Sequence, residues 1–194
     1  MGRPKKDAIG IPAKERMIDA FWEMLAEMPY ADITVRSISS KAEVNHNTFY
    51  RHFGNIDDMA QAAIDGTLLT GIPAALFSGR QAEFRSGEAL EGILANTGGN
   101  FGKALLLARS GSAYLTKVLR TSLRDAWLKE AKLRASDLSD EERIDLSIIF
   151  GGIVAALGET TFPSDFPAIS TLTERPIGKG IFDTLVSLGL KGQK

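Results

Sequence analysis

The chain has 194 residues, 44% hydrophobic and 24% charged, an ordinary globular usage that excludes global disorder. It holds no cysteine and two histidines, which removes disulfides, thiolate metal sites and cysteine nucleophiles together, and no cofactor is expected. The net charge of −1 hides a local asymmetry, since Met1 to Arg16 carries five basic residues and two acidic ones, a balance that permits a nucleic-acid partner without establishing one.

In chain order, the opening "MGRPKK" leads into no apolar stretch of signal-peptide length. From Ala13 to Met28 the residues Ile18, Phe21, Trp22, Leu25 and Met28 follow the spacing of one buried helical stripe, bracketed by Pro12 and Pro29. Thr34 is placed to cap a second, shorter helix with Val35, Ile38 and Ala42 on one face. A tight connection at Glu43 to Asn45 precedes a third helix from about His46 to His52. Asn55 can cap a fourth, with Asp57 and Asp58 favourably set against the helix dipole. That helix is expected to run to about Thr70, where "GIP" interrupts it.

Beyond the break, helices are expected at Glu88 to Asn96, around Phe101 to Ala108, and from Ser112 to Arg134. Lys117, Arg120 and Arg124 form a basic stripe on the last of these, read as a solvated face because no aromatic residue is interleaved with it. Ser139 and Glu142 form a capping box ahead of the longest apolar run, Leu146 to Leu157. That run is shorter than the roughly 20 residues a bilayer demands, so a soluble cytoplasmic chain with no membrane partner is expected. A helix apolar on nearly every side must bury every side. The last helix, about Pro176 to Leu188, is also broadly apolar. No strand-like alternation competes, and the expected class is all-α.

The informative stretch is "TVRSISSKAEVNHNTFYRHF", Thr34 to Phe53. Two short helices joined by a three- or four-residue turn and packed on a longer preceding helix make a helix-turn-helix unit. Its second short helix can enter the major groove if one face anchors it and the other is polar. Val44, Phe49 and Phe53 are the expected anchors. Asn45, His46, Asn47, Thr48, Tyr50, Arg51 and His52 supply donors and acceptors. Asparagine can pair bidentately with adenine, and arginine can grip guanine or phosphate.

"ITV" at Ile33 to Val35, "KAEV" at Lys41 to Val44, "TFYRHF" at Thr48 to Phe53 and "DDM" at Asp57 to Met59 resemble the TetR family of bacterial transcriptional repressors. The resemblance covers roughly the first third of the chain. It implies an N-terminal three-helix helix-turn-helix domain, residues 1–58, followed by a larger helical ligand-binding and dimerisation domain, residues 59–194. It further implies a homodimer that binds a palindromic double-stranded DNA operator and releases it on binding a small-molecule effector. By resemblance, His46, Asn47 and Thr48 read bases, while Tyr50, His52, Thr34 and Ser37 contact phosphate or groove. Two residues depart from the family's pattern. Glu43 stands where the turn often holds glycine, and Ile56 where a phosphate-contacting lysine often opens the fourth helix. The tail "MGRPKK" is compatible with a minor-groove arm and equally with a solvated terminus.

The two wide-faced helices at the end of the chain are expected to form the dimer interface, through Phe150, Gly152, Ile153, Ala156, Phe182 and Leu185. A cavity for a small, largely apolar effector is expected among Phe77, Phe84, Phe101, Tyr114 and Trp127. Catalysis is not expected. Both histidines lie in the reading segment, no nucleophile-elbow sequence occurs, and "NTGGNFGK" lacks phosphate-loop spacing. The competing reading is a TetR-like adaptor that binds a protein in place of DNA.

Overall fold

A computed structural model of the chain describes residues 11–65, 100–160 and 171–192. The expected end of the fourth helix at Thr70, the helix over Glu88 to Asn96, and the opening basic tail lie outside these residues, as do Phe77 and Phe84. The described residues form helices and turns with no strand, so the chain is all-α as its periodicity indicates. It divides into two compact units, one comprising Met1–Gly66 with Ser110–Ser112 and the other Thr67–Arg109 with Ala113–Lys194.

In the first unit, α1 (Ala13–Glu27) packs against α2 (Val35–Lys41), α3 (His46–His52) and α4 (Ile56–Asp65). Pro12 stands just before α1, and its carbonyl accepts from the Arg16 N–H at 3.1 Å. Met28 is extended, as suits a residue before proline, and α1 stops there. Met17, Phe21 and Leu25 line the buried side of α1, where Phe21 meets Trp22 edge-on at 5.2 Å. Between α1 and α2, Tyr30–Asp32 makes one 3-10 turn. The boundary expected after residue 58 falls inside α4. The first unit keeps that helix whole, because Met59, Ala60, Ala63 and Ile64 are all buried on it.

In the second unit, α7 (Asp140–Glu159) is central, packing against α5 (Asn100–Arg109), α6 (Ala113–Glu130) and α8 (Pro176–Lys191). The end of α6 comes earlier than the expected Arg134. Lys132 takes a left-handed φ of 56°, the Leu133 N–H reaches back to the Leu128 carbonyl, and the Lys132 N–H to that of Lys129. These two bonds close the helix in a Schellman turn. Ser139 caps α7 as its sequence indicates, its hydroxyl accepting from the Glu142 N–H at 3.2 Å while the Glu142 carboxylate accepts from the Ser139 N–H at 2.9 Å. At the start of α8, Gly178 is confined by packing: a methyl group there would stand 1.9 Å from the Leu172 carbonyl oxygen.

The Glu142 carboxylate also accepts from the Lys191 ammonium of α8. Those two donors, Lys191 first, hold the carboxyl below the usual glutamate range. Stability linked to a depressed carboxyl is present above the unfolded value and lost as pH falls through the native one. Glu142→Gln is therefore expected to melt below the parent at neutral pH, with the gap closing in acid below about pH 4. Thermal melts across that range check it; a gap that widens in acid contradicts the assignment.

Candidate nucleic-acid interface

The first unit builds one polar helix face from consecutive capped elements. Thr34 opens α2, its hydroxyl accepting from the Ser37 N–H at 3.1 Å while Ser37 Oγ accepts from the Thr34 N–H at 2.9 Å. Both side chains are thereby tied to the helix start, with Thr34 still exposed. The turn after α2 is a Schellman turn: the Val44 N–H bonds the Ser39 carbonyl at 2.9 Å and the Glu43 N–H that of Ser40 at 3.2 Å. Glu43 holds the left-handed position at φ 52°, where a side chain is strained and glycine is not. Glu43→Gly is expected to stabilise the unit by up to about 1 kcal/mol, the relieved strain being partly offset by glycine's freedom in the unfolded chain. Urea unfolding checks this, and a lowered midpoint would contradict it.

Asn45 caps α3, its Oδ1 accepting from the Asn47 N–H at 2.8 Å. That engagement makes Asn45 a builder of α3. Phe49 is fully buried beneath α3 and packs on Phe53 with ring centroids 5.5 Å apart. Around this anchor the predicted reading residues come together on one short helix: His46, Asn47, Arg51 and His52 are exposed, Tyr50 is 53% exposed and Thr48 is half-buried. Tyr50 meets His46 edge-on at 5.2 Å. Arg51 Nη2 donates to Thr48 Oγ1 at 3.0 Å, a pairing that helical spacing allows at i, i+3 but that sequence alone does not specify.

The charge around this face is partly committed elsewhere. Lys41, at the end of α2, pairs with Glu23 at 3.1 Å and Glu27 at 3.8 Å on α1. Its hydrogen bond to Glu23 is the main reason its ammonium is held above the usual lysine range. At the start of α4, the Asn55 side chain accepts from the Asp58 N–H at 2.8 Å, as expected of a cap. Ile56 is half-buried there, and Tyr30 donates its hydroxyl proton to Asp57. The cation to be expected of the resemblance is absent from that place.

The remaining predicted residues lie in the second unit. Trp127 is buried in a core shared by α6, α7 and α8, its ring 6.5 Å from that of Phe150. Phe101 is buried on α5, and Tyr114 is half-buried on α6. Of the residues expected at a dimer interface, Phe150, Phe182 and Leu185 belong to that same core within a single chain. Ile153 is half-buried, whereas Gly152 and Ala156 are exposed. The apolar surface on the outside of α7 is carried instead by Ile144 and Ile148, 59% and 67% exposed, in line with Gly152 and Ala155. On α6, Lys117 and Arg120 are exposed and Arg124 pairs with Asp125 at 2.7 Å. Among the described residues no three potential metal ligands cluster, and no helix is long and apolar enough to cross a membrane.

Residues 17–63, from Met17 on α1 to Ala63 on α4, match the family model described as bacterial regulatory proteins, tetR family. No curated protein matches the chain. Among solved structures, the chain is similar to the TetR family repressor AlkX from Dietzia sp. strain DQ12-45-1b, a protein implicated in biodegradation of n-alkanes. That likeness is 18% in identity, covers 95% of this chain and 100% of the other, and has a TM-score of 0.43. The matched span contains both helices of the helix-turn-helix and every residue of its polar face, and over that span the chain is similar to the helix-turn-helix domain of the tetR family of bacterial regulatory proteins.

Proposed function

We propose that the chain is a transcriptional repressor that binds a palindromic operator as a homodimer and lets go of it when a small, largely apolar effector binds the second unit. The observation that carries this reading is α3: seven residues capped by Asn45, pinned by Phe49, and polar over the rest of their circumference. Such a helix fits the major groove, where side chains meet base edges directly. Thr34 and Ser37 at the head of α2, with Tyr50 and His52 on α3, are assigned to the phosphate backbone. Backbone contacts of this kind set register and supply affinity that falls with salt. His46, Asn47 and Thr48 are assigned to bases.

Dimerisation is supported by the outer stripe of α7, since an exposed row of large apolar side chains on a helix is a surface that seeks cover. Two copies related by a two-fold axis would set two α3 helices one or more DNA turns apart, about 34–36 Å per turn. For the effector, Phe101 on α5 and the half-buried Tyr114 at the start of α6 offer apolar area with one polar handle, whereas Trp127, about 20 Å further along α6, belongs to the core. A hundredfold loss of operator affinity requires that the effector favour the released state by only about 3 kcal/mol.

The test is selection of bound fragments from genomic DNA, followed by mobility shifts with the fragments recovered. Asn47→Ala is expected to weaken operator binding by about 1–3 kcal/mol, the worth of one bidentate base contact. Recovery of no fragment, with a protein captured in their place, would favour the adaptor reading. Ile56 at the head of α4 and the committed charge of Lys41 give that alternative its footing.

A further inference from the structure

The geometry points to a specific pair of bases, and this inference rests on the DNA-binding reading above: each half-site holds a guanine read by Arg51 and an adenine read by Asn47, with one base pair between them. The starting point is Phe49, the fully buried residue of α3. Asn47 lies two residues before it and Arg51 two residues after it. Each is therefore turned about 200° round the helix from the buried anchor, at about 100° per residue. The two side chains share the outermost line of α3, and both are exposed. His46 and Tyr50 fall on one flank of that line and Thr48 and His52 on the other. A helix laid in the major groove presents its outermost line to the floor of the groove and its flanks to the walls.

On that line the two residue types have distinct best partners. Asparagine presents one acceptor and one donor, the complement of adenine N7 and N6; arginine presents paired donors, the complement of guanine O6 and N7. Four residues along a helix advance it about 6 Å. Successive base pairs are about 3.4 Å apart, so the two contacts fall close to two base steps apart.

Thr48 makes the arginine contact directional. Its Oγ1 accepts one of the guanidinium hydrogens at 3.0 Å, which leaves other N–H donors of the five to form a fork on a base. A flexible side chain held on its own helix loses less freedom on binding and is steered to one base in preference to neighbouring phosphates. Thr48 acts here as a positioning residue for Arg51. This positioning role stands beside the base contact assigned to Thr48 by resemblance.

The experiment measures affinity of the full-length chain for a selected operator and for every single-base variant of one half-site. The parent is expected to prefer a guanine and an adenine two steps apart by roughly tenfold each. Arg51→Ala should flatten the preference at the guanine alone, and Asn47→Ala that at the adenine alone. Thr48→Val should weaken the guanine preference several-fold, and Thr48→Ser, which restores the acceptor, should recover it. All three side chains lie on an exposed or half-buried face, and circular dichroism checks that each of the four variants is folded. Uniform weakening over all duplexes by Arg51→Ala would make it a phosphate contact and overturn the inference while leaving DNA binding intact. So would equal preferences in the Thr48→Val and parent proteins, or guanine and adenine at a different spacing. Failure of the parent to enrich any duplex would overturn both this inference and the reading on which it rests.

Discussion

Phe49→Ala is expected to unfold the helix-turn-helix domain. Phe49 has no exposed surface, and its ring lies 5.5 Å from those of both Tyr50 and Phe53. Truncating a buried phenylalanine costs about 3–5 kcal/mol, because the transfer energy is lost and the cavity collapses only in part. A unit of this size has little to spare: native domains are stable by about 5–15 kcal/mol, and small ones sit at the low end. Seven residues are also too few to hold a helix in water without packing, so α3 survives only while its anchor does. Loss of helical circular dichroism and of operator binding together would be the signature. Phe49→Leu, which refills most of the volume, should retain both at reduced stability. A Phe49→Ala protein with the parent's melting behaviour would mean that the reading helix is held by something else.

The second large effect is expected on the outside of α7. Ile148 is 67% exposed, so Ile148→Arg should change the stability of a single chain by no more than about 0.5 kcal/mol. At a two-fold interface the same arginine would be buried twice with no partner, a penalty of several kcal/mol per copy. The variant is expected to sediment as a folded monomer at micromolar concentration and to bind the full operator at least a hundredfold less tightly. Phe182→Ala separates this from a folding defect: Phe182 lies in the core of one chain, so its loss should lower the melting temperature first. A parent protein that is monomeric at micromolar concentration would remove the dimer from the account.

The same contrast shows where the sequence is readable. Caps were legible because their chemistry is local: Thr34, Asn55 and the Ser139–Glu142 box each act on a backbone N–H within three residues. The strain at Glu43 was legible through the resemblance instead, since the family's turn often holds glycine where this chain has glutamate. The helix-turn-helix followed from local spacing plus one buried aromatic. Periodicity could not tell Phe150, Phe182 and Leu185, which pack inside a chain, from Ile144 and Ile148, which face outward. Both groups are equally apolar, and their separation depends on which helices meet α7 in space. The role of Asn45 as a cap and the Thr48–Arg51 bond depend on rotamers, which residue identity leaves open.

The proposed function rests on base reading by α3. It is tested most directly by fluorescence anisotropy on a selected operator and on a scrambled duplex of equal length, in the same physiological salt. The parent is expected to prefer the operator by at least about a thousandfold, and the Asn47→Ala, Arg51→Ala double variant to lose most of that ratio while still binding both duplexes weakly. Equal affinity of the parent for the two duplexes, or a ratio that the double variant preserves, would contradict it.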